Sequence, residues 1–429
     1  MTTQPRFLHP SLALLLAALS CAAEQTPDEA PASGEPVVEE TKEPAFGFAT
    51  GLDVLADGDG AALDGRRVAL LTNDAARDVA GLPAWEILAD LEGVELVRLY
   101  TPEHGLGADA HGAVSDDVEP VTGLEIVSLY GGRRAPEPAE LAGLDALVYD
   151  LPDVGVRFYT YTSTLYLCLE ACREAGIPLV VLDRPCPPGD GVAGPLPTGL
   201  GDNFVGLVPL PVLYGMTPGE TARWIAGELL PGVVVEVVPL NGYKPGAVFD
   251  EQSPPPPWRA TSPNLPRLSG VLLYPGLGLF EPTALSVGRG TDSPFEVLGA
   301  PWLDAAALAD HWTEHVPGAR FETTTFTPSA PSDGRHDGAT CQGVRVVVED
   351  REAFEPLGLA LWGYDFLGRR HPARTALKPR FLRRMLGVDD LQRVFDGEAD
   401  SVVIWTAWLE DTAAFESRRE PYLLYGNAD

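Results

Sequence analysis

The chain has 429 residues, 45% hydrophobic and 21% charged, the make-up of a globular protein with room for two domains. Its net charge of -32 argues against nucleic acid as a partner, because phosphates are met by Lys and Arg, and against electrostatic docking on anionic lipid. The acidity itself reads as a solubility feature.

Arg6 precedes the apolar run SLALLLAALS, residues 11–20, and Cys21 follows. The run is too short for a stable membrane-spanning helix. A basic residue, a short apolar core and small residues together read as a secretory signal. Cys21 at the end of AALSC fits a lipoprotein box whose thiol is acylated after cleavage, although Ala18 stands where Leu is usual. Ordinary cleavage near Ala23 is the alternative. The expectation is an exported protein anchored through Cys21 and facing the periplasm, or periplasmic or secreted without acylation. Residues 22–46 carry seven acids, one Lys and four prolines, and read as a disordered tether.

From residue 47 to 252 apolar strands alternate with helix patterns. RRVALLTN (66–73) is the first strand and GLPAWEILADLEG (81–93) a helix. VELVRLY (94–100), EIVSLY (125–130) and DALVYDL (145–151) are strands. TSTLYLCLEACREAG (162–176) is an amphipathic helix closed by Gly. IPLVVLD (177–183) is a strand, and TPGETARWIAGELL (217–230) opens with the capping pair Thr217 and Glu220. VVVEVVPL (233–240) ends the series. Near-continuous Val and Leu strands between helices predict an α/β, Rossmann-like doubly wound parallel sheet covered on both faces. GDGVAG (189–194) has the letters of a dinucleotide loop, but Pro187 and Pro188 precede it and Pro195 and Pro197 occupy the place of the helix. No cofactor is expected.

SPPPPWRATSPNLP (253–266) holds six prolines and reads as a rigid crossover. Residues 267–429 then form a smaller α/β or α+β C-terminal domain, with the run VLLYPG (271–276), helix patterns at 304–316, 352–368 and 380–396, GVRVVVED (343–350) and VVIW (402–405). Cys168 and Cys172 share one helix face with apolar neighbours, which favours burial over metal binding. No CxxC pair occurs; a Cys186–Cys341 disulfide is possible in an exported protein but has no positive sign.

Open α/β sheets bind ligands at the carboxyl ends of their strands. Those ends deliver Asn73 and Asp74, then Glu103 and His104 in TPEHG, then Asp150 and Asp153 in YDLPDVG, then Asp183 and Arg184. RFYTYTST adds Arg157, Tyr159 and Tyr161. LFEPTALSVGRGTDSPFE (279–296) adds Glu281 and the guanidinium of Arg289. Carboxylates with aromatics suit a carbohydrate site. Glycoside hydrolysis needs a proton donor whose proton is held by burial or a second carboxylate. Glu103 fits that role, with His104 orienting it or binding a hydroxyl. A metal held by Glu103, His104, Asp109 and His111 is the rival reading, without a recognised spacing.

TPEHGLGADAHG, SLYGGRRAP, YDLPDVGVRFYTYTST, VLDRP, PVLYGMTPGE, SPNLP, LYPGLGLFEPTALSVGRGTDSPFE and the closing YLLY occur in an order that resembles the NamZ-type exo-β-N-acetylmuramidase family. The resemblance covers residues 51–425. It implies a Rossmann-like domain and a smaller C-terminal domain with the site in the cleft between them. It implies release of N-acetylmuramic acid from non-reducing ends of peptidoglycan fragments, without a cofactor. Glu103 would be the catalytic acid, and Tyr159 or Tyr161 the implicated tyrosine. Arg289 is expected to face the lactyl carboxylate that distinguishes muramic acid from glucosamine. Two departures lie near the presumed cleft: TNDAA puts Asp74 where an amide is usual, and VLDRPCPPGDG puts Cys186 where Asn is usual. A non-catalytic lipoprotein that binds cell-wall sugars is the other reading, since the fold does not dictate chemistry.

Overall fold

The computed structural model describes residues 48–58, 60–246 and 258–426. The export segment, Cys21, the acidic tether and residues 247–257 lie outside them. The first half is built on a seven-stranded sheet. Its first strands are β1 (Arg67–Thr72), β2 (Glu95–Thr101), β3 (Asp117–Val118), β4 (Glu125–Ser128), β5 (Ala146–Asp150) and β6 (Leu179–Leu182). A short antiparallel pair, β7 (Val192–Ala193) and β8 (Leu213–Tyr214), precedes the last strand, β9 (Val235–Val238). The sheet order is β3-β4-β2-β1-β5-β6-β9, parallel throughout except for β3.

Alternation along the strands explains why they read as unbroken apolar runs. Val68 and Leu70 of β1, Val148 of β5 and Val180 of β6 point to one face. Ala69, Leu71, Leu147, Tyr149 and Val181 point to the other. The first face packs under α1 (Gly51–Asp57) and α2 (Ala84–Asp90) through Leu52, Leu55, Trp85 and Leu88. The second packs under α3 (Pro138–Leu141), α4 (Thr160–Ala175) and α5 (Pro218–Glu228). The capping pair opens α5 as expected: Glu220 N donates to Thr217 Oγ1 at 3.2 Å, and Thr217 N to Glu220 Oε2 at 2.9 Å. GDGVAG leads into β7 and no helix, as its prolines required.

After the crossover comes α6 (Leu268–Leu277), which contains the run VLLYPG. A three-stranded antiparallel sheet, ordered β10 (Val297–Ala300), β12 (Cys341–Val348), β11 (Ala319–Phe326), is flanked by α7 (Ala305–His315) and α8 (Pro356–Arg370). The short α9 (Pro372–Thr375) follows. The predicted helix over 380–396 is two, α10 (Pro379–Leu386) and α11 (Asp390–Phe395), broken at Gly387 with φ +85°. VVIW lies inside the 19-residue α12 (Ser401–Arg419). One apolar cluster runs from Tyr149 and Phe158 through Phe280 and Trp312 to Phe415, so the halves share a core. All four described cysteines are buried and unpaired, so Cys186 and Cys341 form no disulfide. Among the described residues no helix is long and apolar enough to cross a membrane.

The carboxyl edge of the sheet is held by internal partners. Arg184 Nη2 donates to Asp150 Oδ2 at 2.9 Å, both residues being buried. Asp183 accepts from Thr217 Oγ1 at 2.7 Å, Gly219 N at 2.8 Å and Tyr425 Oη at 2.6 Å. Asp153 Oδ1 accepts from Val154 N at 2.6 Å, Gly155 N at 2.9 Å and Tyr214 Oη at 3.1 Å. Burial outweighs these donors and raises the carboxyls of Asp153 and Asp183 to about 6.

Two outcomes follow. Arg184→Ala strands the buried Asp150 carboxylate and lowers stability by about 3–5 kcal/mol in urea unfolding. The raised Asp153 carboxyl binds a proton in the folded state where the unfolded chain has lost it. Its contribution is therefore full below the unfolded value near 3.8 and is lost as pH rises through about 6. Asp153→Asn keeps an oxygen for all three donors, so between pH 5 and 7.5 it loses less stability than the wild type, by about 1 kcal/mol or more. Chemical denaturation at the two pH values measures the difference.

Candidate active site

The strand order reverses between β1 and β5, and the segments after β1, β2 and β5 meet there. TPEHG is a tight turn: Gly105 N donates to Pro102 O at 3.1 Å. His104, third of the four residues from Pro102 to Gly105, sits at φ +76°, a region that glycine or asparagine usually fills in such turns. That backbone costs about 1–3 kcal/mol and must be held by its surroundings. One hold is the imidazole, whose Nδ1 lies 2.8 Å from Ala110 O. A carbonyl can only accept, so Nδ1 carries the hydrogen and Nε2 remains an acceptor. Burial lowers the imidazole's pKa and keeps the ring neutral.

The turn aims Glu103 into a cavity of about 380 Å³ between the two halves of the chain. Thr160, the first residue of α4, donates from Oγ1 to Glu103 Oε2 at 2.7 Å. The Tyr130 phenol lies beside the same carboxylate; burial first, and that neighbour next, push it up to about 12. Behind Glu103 the fully buried Tyr161 hydroxyl lies 3.3 Å from its carbonyl and donates to Thr261 O at 2.9 Å. Asn73 Nδ2 donates to that hydroxyl at 2.8 Å. Tyr159 Oη donates to Thr261 at 2.8–3.0 Å, and its ring lines the cavity. Burial raises both phenols far above their ordinary value.

The opposite wall comes from the second half. Arg289 donates from Nε and Nη2 to Glu281 Oε1 at 2.9 and 2.6 Å, and its guanidinium sits 5.1 Å from the Phe295 ring centre. Tyr274 packs edge-on between Phe158 and Phe295, with ring centres at 5.1 and 4.7 Å. Ser262 and Asn264 of the crossover complete the lining. Aromatic faces beside hydroxyl and amide groups suit the mixed apolar and polar surface of a sugar ring.

The structure thus brings Glu103, His104, Tyr159, Glu281 and Arg289 to one cavity. Tyr161 and Asn73 stand one layer behind and position Glu103. Asp150, Asp153, Asp183 and Arg184 do not line the cavity; they serve the sheet edge. Arg157 is also set back. It is fully buried, has no carboxylate partner among the described residues and donates to Gly206 O and Met385 O, and burial lowers its pKa to about 9. Asp74 pairs with Arg77, and Cys186 is buried against Gly155, so neither departure changes the cavity wall. Among the described residues no three His, Cys, Asp or Glu side chains are placed to hold one ion, so Glu103, His104, Asp109 and His111 form no metal cluster. Sequence reasoning missed Thr160, Tyr130 and Tyr274. All three lie inside segments it singled out, but nothing in the spacing showed which way they face.

Two family profiles match the chain: exo-β-N-acetylmuramidase NamZ, N-terminal, over residues 68–269, and its C-terminal counterpart over residues 272–425. The peptidoglycan β-N-acetylmuramidase NamZ of Bacillus subtilis (strain 168) is 37% identical over 316 residues, 73% of this chain and 75% of that protein. Two crystal structures of DUF1343 family proteins from Bacteroides fragilis NCTC 9343 are similar, at 29% and 28% identity and TM-scores of 0.82 and 0.70. Each covers 89% of this chain, and 100% and 99% of the neighbour respectively. The chain belongs to the exo-β-N-acetylmuramidase NamZ family.

Proposed function

We propose that the protein is an exo-acting glycoside hydrolase that releases N-acetylmuramic acid from the non-reducing ends of peptidoglycan fragments, with Glu103 as proton donor. One observation carries the role of Glu103. Of the two carboxylates in the cavity wall, Glu281 is ion-paired with Arg289, whereas Glu103 has hydroxyl neighbours and no Arg or Lys partner among the described residues. A carboxyl with no fixed cation can carry a proton to a leaving oxygen and take one back.

The proton passes from Glu103 to the glycosidic oxygen, and the bond from that oxygen to the anomeric carbon breaks. The shortened fragment leaves with a hydroxyl, and water adds to the oxocarbenium-like carbon. Thr160 fixes the rotamer of Glu103. His104 Nε2 can accept from a substrate hydroxyl. The tie to Arg289 makes Glu281 a poor second catalytic group, which leaves the trapping of that carbon to water or to the substrate's own acetamido oxygen.

The setting proposed for this activity is outside the cytoplasm. Arg6, the run SLALLLAALS and Cys21 support export with a lipid anchor, and peptidoglycan fragments are met there. Globomycin treatment of producing cells, followed by mass analysis of the N-terminus, tests the anchor.

With a disaccharide ended by N-acetylmuramic acid, whose sugar leaving group needs the proton, Glu103→Gln lowers kcat by about 10²–10⁴-fold with the melting temperature unchanged. Turnover that survives in this variant removes Glu103 as the acid. Thr160→Val lowers kcat by about 10- to 100-fold with KM little changed, and Thr160→Ser restores most of it, because the hydroxyl positions the acid rather than holding the sugar. A Val variant as active as the wild type, with the loss falling on Ser, would show that the methyl packing, not the hydroxyl, is what matters.

A further inference from the structure

An N-acetylmuramic acid residue brings a carboxylate on its lactyl ether. The cavity wall already holds Glu103 and Glu281 against the single guanidinium of Arg289, in a chain of net charge -32. Arg289 was the expected reader of that carboxylate. In the structure both its Nε and its Nη2 donate to Glu281, so its charge is met from within.

A cation without an ion pair among the described residues stands near Glu103. Arg134 belongs to the segment GGRRAP that follows β4. Its guanidinium carbon lies 4.5 Å from the ring centre of Tyr130 and 4.1 Å from that of Phe204. The two ring centres are 6.2 Å apart, so they meet at about a right angle at the guanidinium carbon, which sits in the corner they form. Stacking occupies the faces of a guanidinium and leaves its edge of N–H donors. Among the described residues no carboxylate pairs with Arg134, and its Nη1 is buried without a hydrogen-bond partner. Arg133 next to it is in the ordinary condition, paired with Asp116 and Glu140. The Tyr130 phenol lies beside both Arg134 and Glu103, which ties the clamp to the reacting centre. Phe204 comes from the loop whose next residue, Val205, lines the cavity. A guanidinium seated against two rings, with its Nη1 donor unspent and the proposed proton donor nearby, is suited to receive a carboxylate.

We propose that Arg134, seated against Tyr130 and Phe204 near Glu103, binds the lactyl carboxylate of the substrate and so selects muramic acid over glucosamine. The inference rests on the glycosidase reading above. Phe204 then has a function of its own: its ring limits the rotamers of the guanidinium, so that little freedom is lost when the sugar arrives.

The test compares N-acetylmuramic acid with its lactyl methyl ester. Binding of the two free sugars is measured by calorimetry, and turnover on their 4-nitrophenyl β-glycosides, for wild type, Arg134→Gln and Arg289→Gln. Wild type prefers the acid to the ester by about 10- to 100-fold, the range for a hydrogen-bonded charge. Arg134→Gln treats acid and ester alike in both assays and loses mainly in KM. Arg134→Lys, which keeps charge without the fork, recovers part of the preference and guards against a folding defect. A full preference retained in Arg134→Gln overturns the proposal. A preference lost only in Arg289→Gln moves the role to Arg289. Absence of turnover by the wild type on both glycosides sinks the glycosidase reading, while the binding arm still decides whether Arg134 reads the carboxylate.

Discussion

The position of Glu103 depends on one buried hydroxyl. Tyr161 Oη is met by Asn73 from the end of β1, gives its hydrogen to Thr261 of the crossover, and lies against the carbonyl of Glu103 itself. Three segments separated by up to 188 positions in sequence are thereby fixed to one point in a site from which water is excluded. There is no competing solvent to satisfy any of these groups, so the arrangement either closes as a whole or leaves several polar atoms unpaired. Tyr159 repeats the device one residue pair earlier, on the same Thr261, with its ring turned toward the cavity. The spacing of two along the approach to α4 is what lets one tyrosine form wall and the other form scaffold.

The ionised groups around this point divide by what neutralises them. Asp150 with Arg184 and Glu281 with Arg289 are closed pairs. Asp153, Asp183 and Arg157 are buried without an ionic partner among the described residues, and are served by backbone and hydroxyl groups instead. Arg157 reaches the carbonyl of Gly206 in a loop and that of Met385 in the last turn of α10, so a single desolvated cation ties the sheet edge to α10. Such a group contributes more to the uniqueness of the arrangement than to its stability, because its own desolvation opposes its hydrogen bonds.

The doubly wound sheet was legible because both faces of β1, β5 and β6 are covered, which forces the unbroken Val and Leu runs. Glu103 was legible because β2 ends at it and a Pro, an acid and an imidazole have no ordinary reason to share a turn. Asp150 and Asp183 looked equally promising for the same reason of place. Their partners, Arg184 and Tyr425, lie 34 and 242 residues away, and periodicity carries no information about such pairings. In the second half, β11 escaped notice because one face of its polar sequence, RFETTTF, is open to solvent, and α12 because its apolar start, VVIW, was the only conspicuous part. Gly387 split a predicted helix in two, through a left-handed C-terminal residue that only the backbone reveals.

His104 places stability and activity in opposition at one residue. A glycine would relax the left-handed turn at φ +76°, which is the change that selection for a more robust fold alone would favour. It would also remove the ring that pins the 104–110 loop and offers Nε2 to the cavity. On the function proposed above, a glycine here trades that acceptor and that hold for a relaxed turn, so the strained backbone marks where a stabilised form of the protein must be left alone.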